Sequence, residues 1–215
     1  MNLDPKARLL DAAGEVFAEK GFEGATVRDI CNRAEANVAA VNYYFGDKQQ
    51  LYLEAVQQAH CMREPRNIEW VDGTPPEQKL RDFIRLMMED MLDDDRPSWH
   101  LTLMMREMAR PTAACEELVR SFIGPKFAVL LNILDELLPP GLSSLERHLQ
   151  AFSIVGQCLL YRFHRPIGRL LVGEEHFQSF INLELLTHQI TEFSLLGLKR
   201  IKAAGDVLPP TEAAT

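Results

Sequence analysis

The sequence predicts an all-α protein with two helical parts, a compact N-terminal tri-helical unit and a C-terminal helical bundle. Apolar residues recur with helical spacing almost throughout, and no segment sustains the alternation of a strand. The 215 residues are 47% apolar, enough for a sizeable core, and 25% charged, close to the average of soluble proteins. Residues 63–77 hold three prolines and a glycine, so we place the boundary between the parts there.

Four helices are predicted in the first sixty residues. Asp4 is a favourable N-cap before Pro5, and Gly21 ends the apolar stripe that follows. The residues predicted to cap the next three helices are Thr26, Asn37 and Asp47. The first three helices form the compact unit and the fourth leads out of it.

Five helical segments are predicted beyond the boundary. They cover about residues 78–92, 98–109, 113–138, 143–164 and 174–203. The third is expected to kink at Gly124-Pro125, because proline removes a backbone donor. Residues 204–215, which include Pro209-Pro210, are expected to form a disordered tail.

Composition predicts a soluble cytoplasmic protein with no membrane partner. No apolar run approaches the roughly 18 residues of a bilayer span, and the N-terminus lacks a secretory apolar stretch. The cysteines lie in helix-like segments without C-x-x-C spacing, which favours reduced core residues over a disulfide or zinc site. They are Cys31, Cys61, Cys115 and Cys158.

An enzyme is not expected. The sequence contains no H-E-x-x-H, G-x-S-x-G, P-loop or dinucleotide glycine motif, and its six histidines never fall into metal-ligand spacing. We therefore predict no catalytic residues, no metal and no cofactor.

Charge limits any interaction with nucleic acid. The chain has 23 basic and 31 acidic residues, a net charge of −8, and its first sixty residues hold six basic and nine acidic groups. Proteins that coat nucleic acid without specificity are basic, because phosphate neutralisation supplies most of that affinity. This chain is expected to bind DNA only if its few cations converge on one face.

A short helix, a tight turn and a second short helix form a helix-turn-helix at about residues 26–45. The second helix, 38–44, is the element that would enter a major groove. Ala39 and Ala40 allow close approach, and Asn42 can bond an adenine edge. Arg28 and Lys48 lie at the flanks and suit phosphate contacts.

These residues resemble the DNA-binding domain of the TetR family over about residues 3–63. In the first two helices the resemblance is carried by Ala7, Leu10, Ala12, Ala13, Phe17, Gly21, Phe22, Ala25, Thr26, Val27, Arg28, Asp29 and Ile30. In the recognition helix and the next it is carried by 37–48, Leu51 and Tyr52. The resemblance implies a homodimer that represses transcription until a small molecule binds its second domain. The DNA-facing positions it implies are Thr26, Arg28, Val38, Ala39, Ala40, Asn42, Tyr43, Tyr44 and Lys48.

The turn departs from the family pattern. The usual residue is a glycine with positive φ, and this chain has Glu35 there, at a cost of about 1 kcal/mol. The pose of helix 38–44 on DNA is therefore left open. A packing module without a DNA role, and inward packing of Tyr43 or Tyr44, are the other interpretations of this unit.

The second part, 78–203, is predicted to bind a ligand and to dimerise. Seven of the eight methionines fall between residues 62 and 108, which suits either an adaptable ligand surface or simple core filling. Arg106 and Glu107 on the same helix need partners if they are buried. They either cap neighbouring helix ends or form ion pairs, or Arg106 serves an anionic ligand. This helix, with Gly156-Gln157 and the segment 160–166, resembles the CecR subgroup, which implies control of transport or efflux genes by a small molecule. The candidate pocket residues are His100, Met104, Met105, Phe122, Gln157, Tyr161 and His164.

The last two predicted helices carry apolar residues at steps of three and four, a spacing that a partner helix can fill. The predicted dimer residues are Leu145, Leu149, Phe152, Gly156, Leu159, Phe163, Leu186, Ile190, Phe193 and Gly197. Packing of both stripes on the chain's own core is the alternative. A two-fold dimer would present two recognition helices to a palindromic operator on double-stranded DNA.

The function predicted from the sequence is a ligand-responsive homodimeric repressor released from its operator by a small molecule. The alternative is a DNA-binding regulator that a protein or lipid partner controls instead.

Overall fold

The computed structural model describes residues 4–60 and 68–204, and every regular element in these ranges is a helix. The first helices are α1 (Pro5–Gly24), α2 (Val27–Ala34), α3 (Val38–Phe45) and α4 (Lys48–His60). They are followed by α5 (Pro76–Met91), α6 (Ser98–Ala109), α7 (Ala113–Leu118), a π-helical turn (Val119–Ile123), α8 (Gly124–Leu137), α9 (Ser144–Phe163), α10 (Arg165–Val172), α11 (Glu174–Phe180) and α12 (Leu183–Ala204). The predicted all-α class is confirmed. Cys61 and the predicted tail from residue 205 onward lie outside the described residues.

Short polar side chains begin the helices of the N-terminal part. The Thr26 hydroxyl accepts a bond from the Asp29 amide at 3.1 Å, and the Asp29 carboxylate accepts one from the Thr26 amide at 3.2 Å. Asn37 and Asp47 each accept one bond from a first-turn amide, at 2.9 and 2.8 Å. These three predicted caps are confirmed, whereas Asp4 precedes α1 without a side-chain cap.

The prediction of one helix over residues 174–203 is wrong, and α10 was not predicted. Gly173 adopts φ 82° between α10 and α11, and Ile181 leaves the helical conformation with ψ 74°. Asn182 then accepts a bond from the Leu185 amide at 3.0 Å and begins α12. The predicted start at residue 174 agrees with the start of α11, so the error is the break at Ile181, across which the apolar spacing continues.

The irregularity expected at Gly124-Pro125 lies one turn earlier, in the π-helical turn Val119–Ile123. A Cβ on Gly124 would lie 2.8 Å from the Val119 carbonyl oxygen, so this turn requires the glycine. Pro125 falls in the first turn of α8.

The described residues pack as two compact units. The first contains residues 4–60 with 95–124, and the second contains 68–94 with 125–204. Helices α6 and α7 therefore pack with the N-terminal helices, although the sequence-based division places them in the domain 78–203. The boundaries 3–63 and 78–203 stay a prediction about functional domains.

Each unit has its own hydrophobic core. The first core includes Leu9, Phe17, Ile30, Val41, Leu51, Leu103 and Leu118. The second includes Leu80, Ile84, Met88, Leu130, Ile133, Leu134 and Cys158. Among residues 4–60 and 68–204, no helix combines the length and apolar character that crossing a bilayer requires.

Candidate nucleic-acid interface

Helix α3 is oriented by two side chains in the first core. Val41 and Phe45, four residues apart on one side of the helix, are 0% and 4% exposed. The opposite side of α3 faces solvent. Its exposed residues are Val38, Ala39, Asn42 and Tyr43, and its half-buried ones are Ala40 and Tyr44. Helix α3 thus presents an uncharged outer surface, which we call the α3 face.

The two tyrosines of α3 have different environments. The Tyr43 side chain is 82% exposed. The Tyr44 ring packs partly against the first core and meets the Tyr43 ring edge to face, with centroids 4.9 Å apart. Of the two tyrosines, Tyr44 therefore packs partly inward, as the alternative interpretation proposed, and Tyr43 does not.

Half of the six cations in residues 4–60 are neutralised by carboxylates. The pairs are Lys6 with Glu54 at 3.1 Å, Lys20 with Asp29 at 3.0 Å and Arg33 with Glu19 at 2.6 Å. The hydrogen bond from Arg33 lowers the pKa of Glu19, and that from Lys20 lowers the pKa of Asp29. Within the described ranges, no carboxylate lies within salt-bridge distance of Arg8, Arg28 or Lys48.

Lys48 is held at the start of α4 by an aromatic ring. Its Nζ lies 4.4 Å from the centroid of Phe22, a cation–π contact. Sequence reasoning did not identify Phe22 as a site residue, because its ring reaches Lys48 only in the folded unit.

The turn between α2 and α3 keeps the left-handed conformation that the family pattern implies. Glu35 has φ 49° and ψ 45°, and is the one non-glycine residue with positive φ in the part of the chain that the structure describes. Its exposed carboxylate lies two residues before Asn37, the cap of α3. The turn of this helix-turn-helix therefore carries both backbone strain and a negative charge.

Arg106 of α6 caps the main part of α1. Gly21, with φ 73°, breaks α1 and leaves carbonyl groups without helical partners. The Arg106 guanidinium donates to the carbonyl oxygens of Ala18 and Glu19 at 2.7 and 2.6 Å. The capping interpretation of Arg106 is thus confirmed.

Glu107 is the buried polar centre of the first unit. Its carboxylate is 2% exposed and accepts bonds from the Tyr52 hydroxyl of α4 and from the Thr112 hydroxyl and amide, the latter two at 3.0 and 3.2 Å. Burial, followed by the Glu107 carboxylate, raises the pKa of Tyr52. The adjacent residues Arg106 and Glu107 therefore fasten α6 to α1 and to α4.

The candidate pocket residues are divided between the units. His100, Met104 and Phe122 belong to the first unit, where His100 is 1% exposed and lies 3.9 Å, centroid to centroid, from Trp99. Met104 and Phe122 pack against the first core. These contacts favour the core interpretation for all three, while Met105 is 47% exposed.

The other three candidates belong to the second unit. Gln157 donates to the Ser194 hydroxyl at 3.4 Å, and the Tyr161 ring lies 5.8 Å from that of Phe180. Burial raises the pKa of Tyr161. His164 is exposed beyond the end of α9.

The predicted dimer residues of α9 are accessible, and those of α12 are only partly so. On α9, Leu145, Leu149 and Phe152 are 56%, 41% and 60% exposed. Gly156 is also exposed, and Leu159 and Phe163 are half-buried. On α12, Phe193 and Gly197 are exposed.

Two of the predicted dimer residues, Leu186 and Ile190, do not lie on the surface. They are 2% and 1% exposed within the second core, so no partner chain can cover them. Spacing of three and four identifies an apolar stripe but not the side to which it faces. Leu185 and Leu196, at 51% and 66%, are the exposed leucines that the spacing missed.

Metal ligands are not clustered in the described ranges, where no three His, Cys, Asp or Glu side chains could hold an ion together.

Two family models match the chain. That of the bacterial regulatory proteins of the tetR family matches residues 9–55, and that of the C-terminal domain of the HTH-type transcriptional dual regulator CecR matches residues 76–198.

Individual relatives agree with these matches. The CecR regulator of Shigella flexneri is 26% identical over 86% of this chain and 87% of its own length. The repressor AcnR of Corynebacterium glutamicum is 29% identical over 39% of this chain and 47% of its own. All are transcriptional regulators and not enzymes.

Solved structures have the same fold. HlyIIR, a hemolysin II transcriptional regulator, is 26% identical with a TM-score of 0.56, over 85% of this chain and 97% of that one. A TetR-like regulator from Rhodococcus sp. RHA1 is 16% identical with a TM-score of 0.58, over 91% of this chain and 96% of that one.

Proposed function

Because the chain belongs to the TetR family of transcriptional regulators, with a CecR-type C-terminal domain, we propose that it is a homodimeric repressor that binds a palindromic operator and is released by a small molecule. Transport or efflux genes are its proposed targets. The observation that carries the proposal is the exposed, uncharged α3 face with the unpaired cations Arg28 and Lys48 at its flanks.

The proposed contacts divide into positioning and readout. Arg28 and Lys48 contact phosphates, while Ala39 and Asn42 meet base edges. Each phosphate contact contributes about −0.9 to the slope of log affinity against log salt. Two such cations in each protomer therefore give a slope of about −4 for the dimer, shallow for a regulator.

Two substitutions separate these roles. Lys48→Ala is expected to weaken binding to every sequence and to reduce the salt slope by about 2 for the dimer. Asn42→Ala is expected to cost about 1–3 kcal/mol on the operator and to relax specificity at one base pair in each half-site. Lys79→Ala is the control, because Lys79 belongs to the second unit and pairs with Glu136 at 2.7 Å. An unchanged slope for Lys48→Ala would contradict its phosphate role.

The proposed dimer forms through the exposed apolar sides of α9 and α12, which we call the α9–α12 face. Gly156 and Gly197 lie on it, and an added Cβ at either would meet no atom within 4 Å. A two-fold dimer would present two recognition helices to the two half-sites of a palindromic operator. Phe152→Glu is expected to produce monomers and to abolish binding to a palindrome but not to a half-site at low salt.

The proposed effector acts by a population shift. It binds in the second domain, where Gln157 and Tyr161 are the candidate contacts, and favours dimers with misspaced recognition helices. Within the first unit, Arg106 and Glu107 bond α6 to α1 and α4, so a displacement of α6 would move both helices. Bound operator must then lower the affinity for the effector by the same factor by which bound effector lowers the affinity for the operator.

The decisive experiment is a selection of bound DNA from a random library, repeated with candidate small molecules. A palindromic consensus that is lost when a ligand is added is the expected result. Ligand affinity is then measured with and without that operator, and equal values would rule out the scheme. Release by a protein or by lipid vesicles alone would favour the alternative regulator.

A further inference from the structure

Helix α10 turns its polar side toward its own unit. Arg165 pairs with Asp94, and Arg169 pairs with Glu174 at 3.3 Å. The Arg169 guanidinium also lies 4.9 Å from the centroid of Phe177, the ring that a Cβ on Gly168 would approach to 3.4 Å. Both arginines and the glycine of α10 thus make their contacts within the second unit.

The opposite side of α10 is apolar and open. Ile167, Leu170 and Leu171 are 54%, 85% and 80% exposed, and their spacing places them on one side of the helix. We call these three residues the α10 face. Surface helices ordinarily bury their apolar stripe, and an exposed patch of this kind marks an interaction site.

We propose that the α10 face binds a second copy of this chain and extends the α9–α12 face at one end. The inference rests on the proposed homodimer. The two faces are continuous along the chain, because α10 begins two residues after α9 ends and Leu160 in the last turn of α9 is 49% exposed.

The apolar area favours this occupant. The α9–α12 face exposes seven large side chains, each leaving roughly 100 Å² of apolar surface in water, or about 700 Å². They are Leu145, Leu149, Phe152, Leu160, Leu185, Phe193 and Leu196. A standard interface buries about 800 Å² per partner, and permanent dimers bury more. The α10 face adds about 300 Å², which brings the total above that standard.

The charges of α10 disfavour a lipid surface as the occupant. Helices that lie on membranes carry free lysines and arginines that meet anionic headgroups. In α10 both arginines already pair with the carboxylates of Asp94 and Glu174. A second copy of this chain requires no free cation there.

The test compares four full-length proteins by sedimentation velocity over a range of concentrations. They are the wild type, the double variant Leu170→Glu/Leu171→Glu, Val71→Glu and Phe152→Glu. Val71 is the matched control, because it is 81% exposed in the same unit and lies on the loop before α5, in neither face. We expect the double variant to raise the dimer dissociation constant at least tenfold and Val71→Glu to leave it unchanged, with equal helical circular dichroism. If the double variant is not folded, Leu170→Ser/Leu171→Ser replaces it.

Three results would overturn the proposal. If Phe152→Glu dissociates the dimer and the double variant does not, the α10 face is no part of the interface, while the proposed dimer stands. If the wild type is a monomer at every concentration, both proposals fail. If the double variant dimerises normally but loses binding to anionic vesicles, the occupant is a lipid surface.

Discussion

Removing the Tyr52 hydroxyl tests the buried network that holds α4 to α6. Tyr52 is 4% exposed and donates to the carboxylate of Glu107, which is 2% exposed. Tyr52→Phe keeps the ring, which packs edge to face on Phe17 with centroids 4.8 Å apart. The substitution therefore removes one hydrogen bond to a buried charge and little else.

The expected loss follows from the nature of that bond. Hydrogen bonds to charged groups contribute about 1.5–3 kcal/mol, and Glu107 would retain only its two bonds from Thr112. We expect Tyr52→Phe to lower the free energy of unfolding of the first unit by about 2 kcal/mol. Tyr43→Phe is the control, because the Tyr43 side chain is 82% exposed. This substitution should change the free energy of unfolding by no more than about 0.5 kcal/mol.

Each unit contains one of the two tryptophans, so the unfolding of the first unit can be followed by itself. Trp99 belongs to the first unit and Trp70 to the second. In a Trp70→Phe background, Trp99 fluorescence during urea unfolding, at one fixed protein concentration, measures the first unit. A Tyr52→Phe value within about 0.5 kcal/mol of its background would refute the network.

The same substitution predicts a change in alkaline stability. The pKa of Tyr52 is raised above its ordinary value of 10.0, by burial first and by Glu107 second. A raised pKa stabilises the fold fully below pH 10 and loses that contribution as the pH rises toward the folded-state pKa. As the pH rises above 10, the free energy of unfolding of the wild type should therefore fall. That of Tyr52→Phe, which has no hydroxyl to ionise at this position, should fall less.

Three further predictions concern the turn at Glu35, the packing of Gly14 and the reactivity of the thiols. Glu35→Gly should stabilise by about 1 kcal/mol and tighten DNA binding, whereas Glu35→Gln should change DNA binding alone, as urea unfolding and operator titration would measure. Gly14→Ala should destabilise by about 3 kcal/mol, because its Cβ would lie 2.4 Å from the Trp99 ring, and equal thermal stability would contradict that packing. In a Cys61→Ser background, Cys158, whose pKa burial raises to about 12, should react with a thiol reagent only on unfolding, after Cys115.

Local features of the first unit could be predicted because they depend on residues close in sequence. A cap needs one short polar side chain and an amide two or three residues later, as Thr26, Asn37 and Asp47 provide. The inward positions Val41 and Phe45 follow from the helical repeat within eight residues of α3. The left-handed turn at Glu35 is different, because only the resemblance to the TetR family, which usually has glycine at this position, implied it.

Contacts between distant residues could not be predicted in this way. Arg106 meets Ala18 across 88 positions of sequence, and nothing in the local pattern distinguishes a capping arginine from a ligand-binding one. The apolar stripe of α12 has residues on both sides of the helix, so spacing could not tell buried Ile190 from exposed Leu196. The outward leucines of α10 contradict the rule that an apolar stripe faces the core.

Helix α6 explains why family boundaries and packing boundaries differ in this chain. Its residues fall within the match to the CecR C-terminal domain, yet Trp99, Leu103 and Glu107 are buried in the first unit. Trp99 lies on Gly14, Arg106 caps α1 and Glu107 bonds Tyr52, so α6 contacts α1 and α4, and α4 packs against the recognition helix. Under the proposed function, α6 is therefore the part of the CecR-type match through which an effector would act on α1 and α4. Substitutions in this helix should change operator affinity without any contact to DNA, and Tyr52→Phe should do the same from α4.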